Sequence, residues 1–474
     1  MDPTARSGER GIALILALLM TLVLSALVAS LAFVSQTETW SSQNYREMTQ
    51  ARYAAESGIN KAANFLLNGY TAPSTTGTDL IAAYDVSVSP VVAVLNDQAV
   101  VLSARSDVTA NYPVASVSTA FTGSAQGTLS AGRDSVGYAA SARLLSMGQV
   151  TVVGATTPVT IQTWRLSSVG TIVNQPKAQV QVEATLEQQV VPAFNYAAFS
   201  TNNGCASLGF SGGGATDSYD STAITYSGGK VVTQTYGGDI GSNGNLTSSG
   251  STTTINGSLS TPRTGVGKCG STITAWTSNG NSTVTGGTIE LPQPVNYRTP
   301  DLPNPPPPTT SVSINSDTVL PPGSYGNIHV TSGAELHLSA GTYSLNSIEL
   351  NGNATLVIDS GPVVLNVDGS GQSTPIDFSG GSVTNATMDP SLLQIDYAGT
   401  GTVKLTGNAQ TAAVVYAPNA AIRFTGGTDW YGAVIAGTLD DAGGTAIHYD
   451  RHLKKSTLFT VGDYMLDSFT WKKY

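Results

Sequence analysis

The sequence contains few charged residues and no cluster of basic ones. Only 11% of its 474 residues are Asp, Glu, Lys or Arg, and the formal net charge is −10. A nucleic-acid-binding surface needs clustered Lys and Arg side chains to neutralise phosphates. The composition therefore predicts no nucleic-acid partner. Abundant glycine, 51 residues in all, is instead typical of short strands joined by many turns.

Cysteine is also scarce, which limits the metal sites and disulfides that the chain can form. Cys205 and Cys269 are its two cysteines, and neither has a Cys or His neighbour at metal-ligand spacing. An oxidising compartment would permit a disulfide between them, but the sequence leaves open whether their Cα atoms come within bridging distance. The glycine run at 212–217 departs from the Gly-rich calcium repeat at Ala215. We therefore expect no metal and no cofactor.

The usual sequence patterns of enzymes are missing as well. The chain has no nucleophile elbow, no phosphate-binding loop and no HExxH pattern. Its densest ionisable group comprises Asp440, Asp441, His448, Asp450 and Arg451. These residue types could perform acid–base catalysis, yet ion pairs and turn capping explain them without any chemistry. We expect no enzymatic activity.

A long uncharged run is present near the N-terminus. The 23 residues from Ile12 to Val34 would form a helix about 34 Å long, enough to span a bilayer. An ordinary signal anchor remains an alternative, as does a secretory signal cleaved near Ala32. The run is longer than the apolar core of about 7 to 15 residues that secretory signals usually have.

The helical pattern continues beyond the apolar run. No proline occurs from Gln36 to Leu67, and Asn68-Gly69 followed by Pro73 provides a stop signal. Small or apolar residues at helical spacing define one face in this stretch: Ala51, Ala54, Ala55, Ile59, Ala62, Ala63 and Leu66. The pattern predicts one helix over 12–70, with 12–34 in the membrane and the second half packed on a head domain.

Two motifs at the ends of this region carry a resemblance. Arg10-Gly11 followed by Ile12 and an apolar run resembles the class III signal of type IV prepilins, and the stretch 50–59 (QARYAAESGI) resembles the second signature of PilX-type minor pilins. The resemblance implies a leader at 1–11, cut after Gly11 by the prepilin peptidase, which then methylates Ile12. It also implies other pilins or pseudopilins as partners. The chain would reside in the cytoplasmic (inner) membrane before assembly, with its bulk outside the cytoplasm, and at the cell surface afterwards.

The chain departs from the family pattern at Leu16. Major pilins carry a glutamate at this fifth mature position, where it neutralises the N-terminal amine of a neighbouring subunit. Burying a charged amine without a partner costs several kcal/mol, so this subunit should be poor at repeating along a filament. The substitution therefore suits a tip or priming position. A membrane anchor that never enters a filament is the alternative.

The region 84–190 alternates apolar and polar residues as short strands do. Clear cases are Val86–Ser89, Gln98–Leu102 and Gln179–Ala184. The stretch Trp164–Thr171 followed by Ala178–Leu186 resembles the sheet behind the helix of PilX-like proteins. A β-rich, pilin-like head is expected, with a plain β-sandwich as the alternative.

Two further segments separate this head from a repetitive C-terminal part. Residues 196–291 are rich in Gly, Ser and Thr, and Ile or Val recurs between Gly-Asn turns, which favours thin β coils over a disordered stalk. Residues 292–310 contain a polyproline stretch, which we interpret as a surface traverse or linker.

A repeat of 19 residues marks the C-terminal part, 311–474. Val403–Gly407 aligns with Ile422–Gly426, and Val414–Ala417 aligns with Ala433–Ala436. Such a period predicts a β-solenoid, whose coils bury their apolar faces by stacking. The end of this part resembles an uncharacterised solenoid-like domain found behind PilX-like N-termini. Apolar residues of the tail are candidates for an end cap of the solenoid: Phe459, Tyr464, Leu466, Phe469 and Trp471.

The expected fold class is α+β and mostly β, with a long N-terminal helix, a β-rich head and a C-terminal β-solenoid. The expected function is that of a minor pilin or pseudopilin displaying the solenoid as a passenger. The alternative is a membrane-anchored surface β-helix protein that binds or cleaves glycans. The sequence does not identify the passenger's ligand, and it does not distinguish a pilus from a secretion pseudopilus.

Overall fold

The computed structural model describes residues 8–131, 134–172, 175–250 and 253–473. Most of the expected leader, residues 1–7, lies outside this part. The chain divides into two compact units. The first holds the described residues up to Gly148, the stretch Thr160–Gln189 and the C-terminal residues from Asp463; the second holds Gln149–Val159 and Val190–Gly462.

One helix, α1, runs from Gly8 to Asn68 without interruption. It contains no proline, which would remove a backbone donor and clash with the preceding turn. The N–H of Gly69 still bonds to the carbonyl of Phe65 at 2.8 Å, and the helix ends there. The predicted helix and its stop at Asn68-Gly69 are therefore confirmed.

The first unit places α1 beside an antiparallel sheet. Its other elements are a 3₁₀ turn (Ile81–Ala83), α2 (Ala115–Ser124), β1 (Tyr84–Asp85), β2 (Val92–Ala93), β3 (Gln98–Ala99), β4 (Val101–Ser103), β5 (Gln126–Ala131), β6 (Asp134–Val150), β7 (Val159–Ile172) and β8 (Gln175–Pro192). Strands β1, β2 and β3 form a small sheet of their own. The main sheet has the order C-terminal strand (Phe459–Lys473), β8, β7, β6, β4, with β5 also paired to β6.

Two of the three clear strand predictions for the head are confirmed, and one is wrong. Gln98–Leu102 falls in β3 and β4, and Gln179–Ala184 falls in β8. Val86–Ser89 is a turn, because the Asp85 carboxylate accepts hydrogen bonds from the backbone N–H and the hydroxyl of Ser87, and Pro90 follows. Local turn chemistry here outweighs the alternation of apolar and polar residues.

The tail does not cap the repetitive part. Residues Phe459–Lys473 form a strand at the edge of the head sheet, next to β8. A strand of 15 residues supplies many backbone donors and acceptors, and pairing along β8 satisfies those on one side of it. The side chains of Tyr464, Phe469 and Trp471 lie outside the described part.

The second unit is built from short strands. In chain order they are β9 (Ala198–Ser200), β10 (Leu208–Phe210), β11 (Ala215–Tyr219), β12 (Tyr226–Ser227), β13 (Lys230–Val231), β14 (Ile240–Ser242), β15 (Leu246–Ser249), β16 (Thr254–Ile255), β17 (Leu259–Thr261), β18 (Trp276–Asn279), β19 (Thr283–Val284), β20 (Thr288–Glu290), β21 (Ser311–Ile314), β22 (Thr318–Leu320), β23 (Gly323–Val330), β24 (Glu335–Leu338), β25 (Gly341–Leu350), β26 (Ala354–Ile358), β27 (Val363–Val367), β28 (Ile376–Asp377), β29 (Gly381–Thr384), β30 (Leu393–Tyr397), β31 (Thr402–Leu405), β32 (Ala412–Phe424), β33 (Asp429–Asp441) and β34 (Ala446–Asp450). Two 3₁₀ turns, Pro390–Leu392 and Arg451–Lys455, follow β29 and β34.

Twenty of these strands form one closed, barrel-like parallel sheet. Val403 pairs with Ile422 and Val414 pairs with Ala433, so the 19-residue repeat of the sequence is the register of strand pairing. Upstream, Ile328 pairs with Ile348. Because the register keeps apolar residues in line, their side chains stack into one continuous core inside the sheet.

The first strands of this unit lie in the middle of the sheet. β9 pairs with β14 on one side and with β33 on the other. β11 likewise pairs with both β16 and β34. The segments 196–291 and 311–450 therefore share one sheet. In this sheet the last strands of segment 311–450 pair with the first strands of segment 196–291.

The proline-rich segment packs against this sheet. The backbone N–H and carbonyl of Val295 both bond to the Asn243 side chain at 2.8 Å. The ring of Tyr297 contacts those of Phe199 and Tyr416, and the Tyr416 hydroxyl donates to the carbonyl of Arg298. The segment thus runs past the middle of the sheet as it connects β20 to β21.

Cys205 and Cys269 are joined by a disulfide. It links the loop after β9 to the loop between β17 and β18. The two cysteines are 64 residues apart in sequence, which is why spacing alone left their pairing open.

Candidate functional site

The first half of α1 is the most exposed apolar surface of the molecule's described part. Every described side chain from Ile12 to Val34 is exposed, including Leu16 at 63%. Among the described residues α1 is also the one helix long and apolar enough to cross a membrane. Water is a poor solvent for such a surface, so this half needs lipid or neighbouring helices around it.

Two of the three hydroxyl groups in this half bond to the helix itself. Thr21 Oγ1 donates to the carbonyl of Leu18 at 2.9 Å, and Ser25 Oγ donates to the carbonyl of Thr21 at 2.6 Å. Such bonds to the preceding turn satisfy these two hydroxyl groups without water. The helix can therefore lie in an apolar environment without an unsatisfied side chain at these positions.

The second half of α1 packs on the head. The small or apolar face that the sequence defined is buried, and Phe65 joins it: Ala51, Ala54, Ala55, Ile59, Ala62, Ala63 and Leu66 each have 4% exposure or less. Trp164, Leu166 and Ser168 alternate along β7 with their side chains buried. The amphipathic prediction for this half is confirmed.

Small residues allow a very close approach between α1 and β7. A Cβ atom on Gly170 would lie 1.9 Å from the carbonyl oxygen of Ala51 and 2.8 Å from the backbone nitrogen of Ala55. Across the same contact, a Cβ atom on Gly58 would meet Ser168 Oγ. The small residues of the stretch 50–59 thus have a physical role, which is to let the helix backbone lie against the sheet backbone.

The two residues predicted to be the processing site lie at the start of this helix. Gly11 and Ile12 are both within α1, and the Ile12 side chain is 62% exposed. Nothing in the described residues from Ile12 to Val34 carries a negative charge that could neutralise an N-terminal amine. The assignment of Leu16 to the position where major pilins carry glutamate comes from the amino-acid sequence alone.

A second group of side chains lies where the first and last strands of the second unit meet. His448 on β34 is buried between two carboxylates: its Nδ1 is 2.5 Å from Asp217 Oδ1, and its Nε2 is 3.3 Å from Asp429 Oδ1. Lys230 also pairs with Asp429 at 3.0 Å, and the His448 ring lies against that of Tyr431. Burial lowers the pKa of His448, but the bonds to the two carboxylates outweigh it and raise the pKa to about 9. His448 is therefore a cation at neutral pH.

The remaining acidic residues of the predicted ionisable group have separate structural partners. Asp441 is buried and accepts a bond from the N–H of Thr445, and burial raises its pKa to about 6. Asp450 accepts bonds from the backbone N–H groups of Ser221 and His452. Both residues cap turns, and the second carboxylate oxygen of each has no hydrogen-bond partner within the described part of the chain.

The other two members of that group are also paired. Asp440 lies 3.5 Å from Arg423, and Arg451 donates to the Tyr236 hydroxyl. No group of three or more His, Cys, Asp or Glu side chains in the described part of the chain could hold a metal ion. Sequence reasoning singled out His448 but missed Asp217 and Asp429, since Asp217 is 231 residues from its partner.

Two family models match the chain. The model described as PilX N-terminal matches residues 10–60, and the one described as Domain of unknown function (DUF7305) matches residues 311–456. No curated protein matches the chain. One similar solved structure is the competence-associated pilin ComZ from Thermus thermophilus: it is 13% identical, with a TM-score of 0.23, and the alignment covers 90% of this chain and 98% of that one. The matched stretch 10–60 contains both the apolar half of α1 and the small residues that pack on β7, and it is similar to the N-terminal region that the PilX model describes.

Proposed function

We propose that this chain is a minor pilin or pseudopilin-like structural subunit of a type IV pilus or a related secretion filament. The observation that carries the proposal is the division of α1 within the PilX N-terminal match. Its first half is apolar, exposed and free of charge from Ile12 to Val34, while its second half is buried on the head. A helix with this division can be stored in the inner membrane and later enter the apolar core of a filament.

The second unit is, on this proposal, a β-solenoid passenger displayed outside the cytoplasm and, after assembly, at the cell surface. Stacked parallel strands at a 19-residue period support a solenoid. The turn-capping roles of Asp441 and Asp450 support a structural rather than an enzymatic passenger. The partners are other pilins or pseudopilins in the filament and the prepilin peptidase in the membrane.

Leu16 supports a place at the tip or in priming of assembly. Without a carboxylate at this position, a charged N-terminal amine of the next subunit would be buried unpaired, at a cost of several kcal/mol. Such a subunit is tolerated once, at an end, more readily than at every step of a filament. Gold-labelled antibodies against the second unit should then mark filament ends. Labelling along the whole filament would contradict the tip position.

The processing step gives the direct test of the pilin role. When the full chain is co-expressed with a prepilin peptidase, we expect a mature protein beginning at N-methylated Ile12, and we expect Gly11→Ala to abolish this cleavage. The reason is that the peptidase of this family cuts after the leader glycine, and a methyl group there obstructs the cut. Mass spectrometry of the intact protein and of its N-terminal peptide measures both the cut and the methylation.

Gly8→Ala is the matched control for this experiment, because it changes a leader glycine away from the cut. The control should be processed like the wild type. An uncut N-terminus in the wild type, or cleavage near Ala32, would overturn the proposal. The alternative function would then be that of a membrane-anchored or secreted surface protein that binds or cleaves glycans.

A further inference from the structure

The second unit contains a cavity of about 580 Å³ on the outer face of its parallel sheet. Its floor is made by outward-facing residues of β27 and β30, which include Val364, Asn366, Gln394 and Asp396. Residues 151–156 and 457–458 form other parts of its wall. The volume lies within the range of about 300–1,000 Å³ that small-molecule sites usually have.

Polar groups on neighbouring strands line up in this cavity. Asn366 pairs in register with Asp396, and Val364 pairs in register with Gln394, so the two carboxamides and the carboxylate lie on adjacent strands. The hydroxyl residues Thr342, Ser391 and others also line the space. Carboxamides and hydroxyls can each donate and accept hydrogen bonds, which suits a ligand that does both.

Asp396 has bonding capacity that the protein does not use fully. It is only 3% exposed, and its Oδ2 accepts a bond from Gln394 Nε2 at 2.6 Å. Its Oδ1 is buried and has no side-chain hydrogen-bond partner among the described residues, and the backbone N–H of Gly154 is the other group that favours the charged form. A buried polar atom left unpaired costs about 1–3 kcal/mol and more when charged, so a ligand that donates a hydrogen bond to this carboxylate would recover part of that cost.

The chemistry of the lining favours one class of ligand. None of the described residues that line the cavity is Lys, Arg or His, so no cationic side chain among them attracts an anion. Aliphatic side chains such as Val152, Leu392 and Leu458 lie beside the polar groups and offer an apolar wall. Saccharides combine hydroxyl groups, which donate and accept, with apolar C–H faces, and they match both features.

We infer that this cavity is a binding site for a neutral saccharide, in which the Asp396 carboxylate accepts hydrogen bonds from sugar hydroxyls and the carboxamides of Gln394 and Asn366 bind neighbouring hydroxyls. The inference concerns the second unit alone and holds whether or not α1 enters a filament. It gives the passenger a ligand class without assigning it any catalysis.

The test uses the full chain in a detergent without a sugar headgroup, since alkyl glycosides would compete for the site. The probes are maltose, cellobiose and N,N′-diacetylchitobiose, observed by saturation-transfer NMR. We expect the wild type to transfer saturation to at least one of them. Asp396→Asn keeps the shape of the side chain but removes the charged acceptor, and should weaken that binding about tenfold, as expected for one charge-assisted hydrogen bond.

A second variant and a matched control separate binding from folding. Val364→Phe should fill the cavity from its floor and abolish binding. Asp368→Asn, an equivalent change just beyond the end of β27 and outside the cavity lining, should leave binding unchanged.

The stability of Asp396→Asn gives an independent readout. Burial raises the pKa of Asp396 to about 7, whereas Gln394 and Gly154 act in the opposite direction. Asp396→Asn should therefore raise the melting temperature at pH 8 while lowering affinity, a combination that a merely structural role would not produce.

Three results would overturn the inference. The first is the absence of saturation transfer to all three disaccharides. The second is equal transfer by the wild type and by a folded Val364→Phe variant. The third is binding of a lysine-containing peptide in place of the sugars, which would identify a cationic occupant for Asp396. None of these results bears on cleavage after Gly11, so the two proposals fail separately.

Discussion

Replacing Gly170 with alanine is expected to separate the second half of α1 from the head sheet. The added Cβ would lie 1.9 Å from the carbonyl oxygen of Ala51 and 2.8 Å from the nitrogen of Ala55. Both contacts are with helix backbone, so no flexible side chain can move aside. Overpacking in a core costs about 1–3 kcal/mol, and we expect Gly170→Ala to lie at or above the upper end of this range.

Gly137→Ala is the matched control for this variant. Gly137 lies on the neighbouring strand β6, and an added Cβ there would have its nearest contact at 3.6 Å, an ordinary van der Waals distance. Both changes reduce the freedom of the unfolded chain in the same way, so their difference reports the clash with α1. Thermal unfolding of the full chain in detergent should show a lower melting temperature for Gly170→Ala alone.

Hydrogen exchange locates the effect of this substitution. In Gly170→Ala the amides from Ala51 to Leu66 should exchange faster than in the wild type, because local opening follows the loss of packing. Amides of the second unit, such as those of β32, should be unchanged. Wild-type exchange rates for 51–66 in a folded Gly170→Ala protein would contradict the close contact between α1 and β7.

The sequence predicted those parts of the fold in which neighbouring residues determine the structure. The 19-residue repeat gave the register between β31, β32 and part of β33, because residues that stack on one another are drawn from the same positions of each repeat. Helical spacing likewise gave the buried face of α1. Each of these features repeats within a few turns of the chain, where a pattern can be recognised.

The features that depend on distant segments could not be predicted. A repeat shows which strands are neighbours along the chain, but not that β9 lies against β33 or β11 against β34. Asp396 resembles any polar residue on the outer face of a strand until residues 151–156 cover it. The tail was misplaced for a similar reason, since nothing within Phe459–Lys473 indicates that its partner is β8.

His448 links the first and last strands of the second unit, and its replacement by alanine should destabilise that unit strongly. Asp217 belongs to β11, Asp429 to β33 and His448 to β34, so the ion pairs join the two segments of the sheet. Removing the buried imidazolium of His448 takes from Asp217 and Asp429 the cation that both carboxylates contact. Breaking a buried ion pair from one side typically costs about 3–5 kcal/mol, and we expect a loss in this range at pH 6.

His329→Ala supplies the matched control for the His448 variant. His329 also contacts a carboxylate, that of Glu349 at 2.8 Å, but both side chains are 38% exposed. An exposed pair of this kind contributes about 0–1 kcal/mol. Unfolding by denaturant, followed by the near-UV signal of the second unit's tyrosines and tryptophans, should distinguish the two variants. Equal losses in both would contradict the importance of the buried pairs.

The pH dependence of stability distinguishes this ion-pair network from simple loss of packing. The pKa of His448 is about 9 in the folded protein, against its ordinary value of 6.5. Between these values the folded state binds more protons than the unfolded state, so the stability contributed by His448 is fully present below pH 6.5 and is lost as the pH rises through 9. The difference in unfolding free energy between the wild type and His448→Ala should therefore be largest near pH 6 and shrink towards pH 10. A difference that stays constant from pH 6 to pH 10 would mean that the ring acts by its volume, against Tyr431, and that its charge contributes nothing to the closure of the sheet.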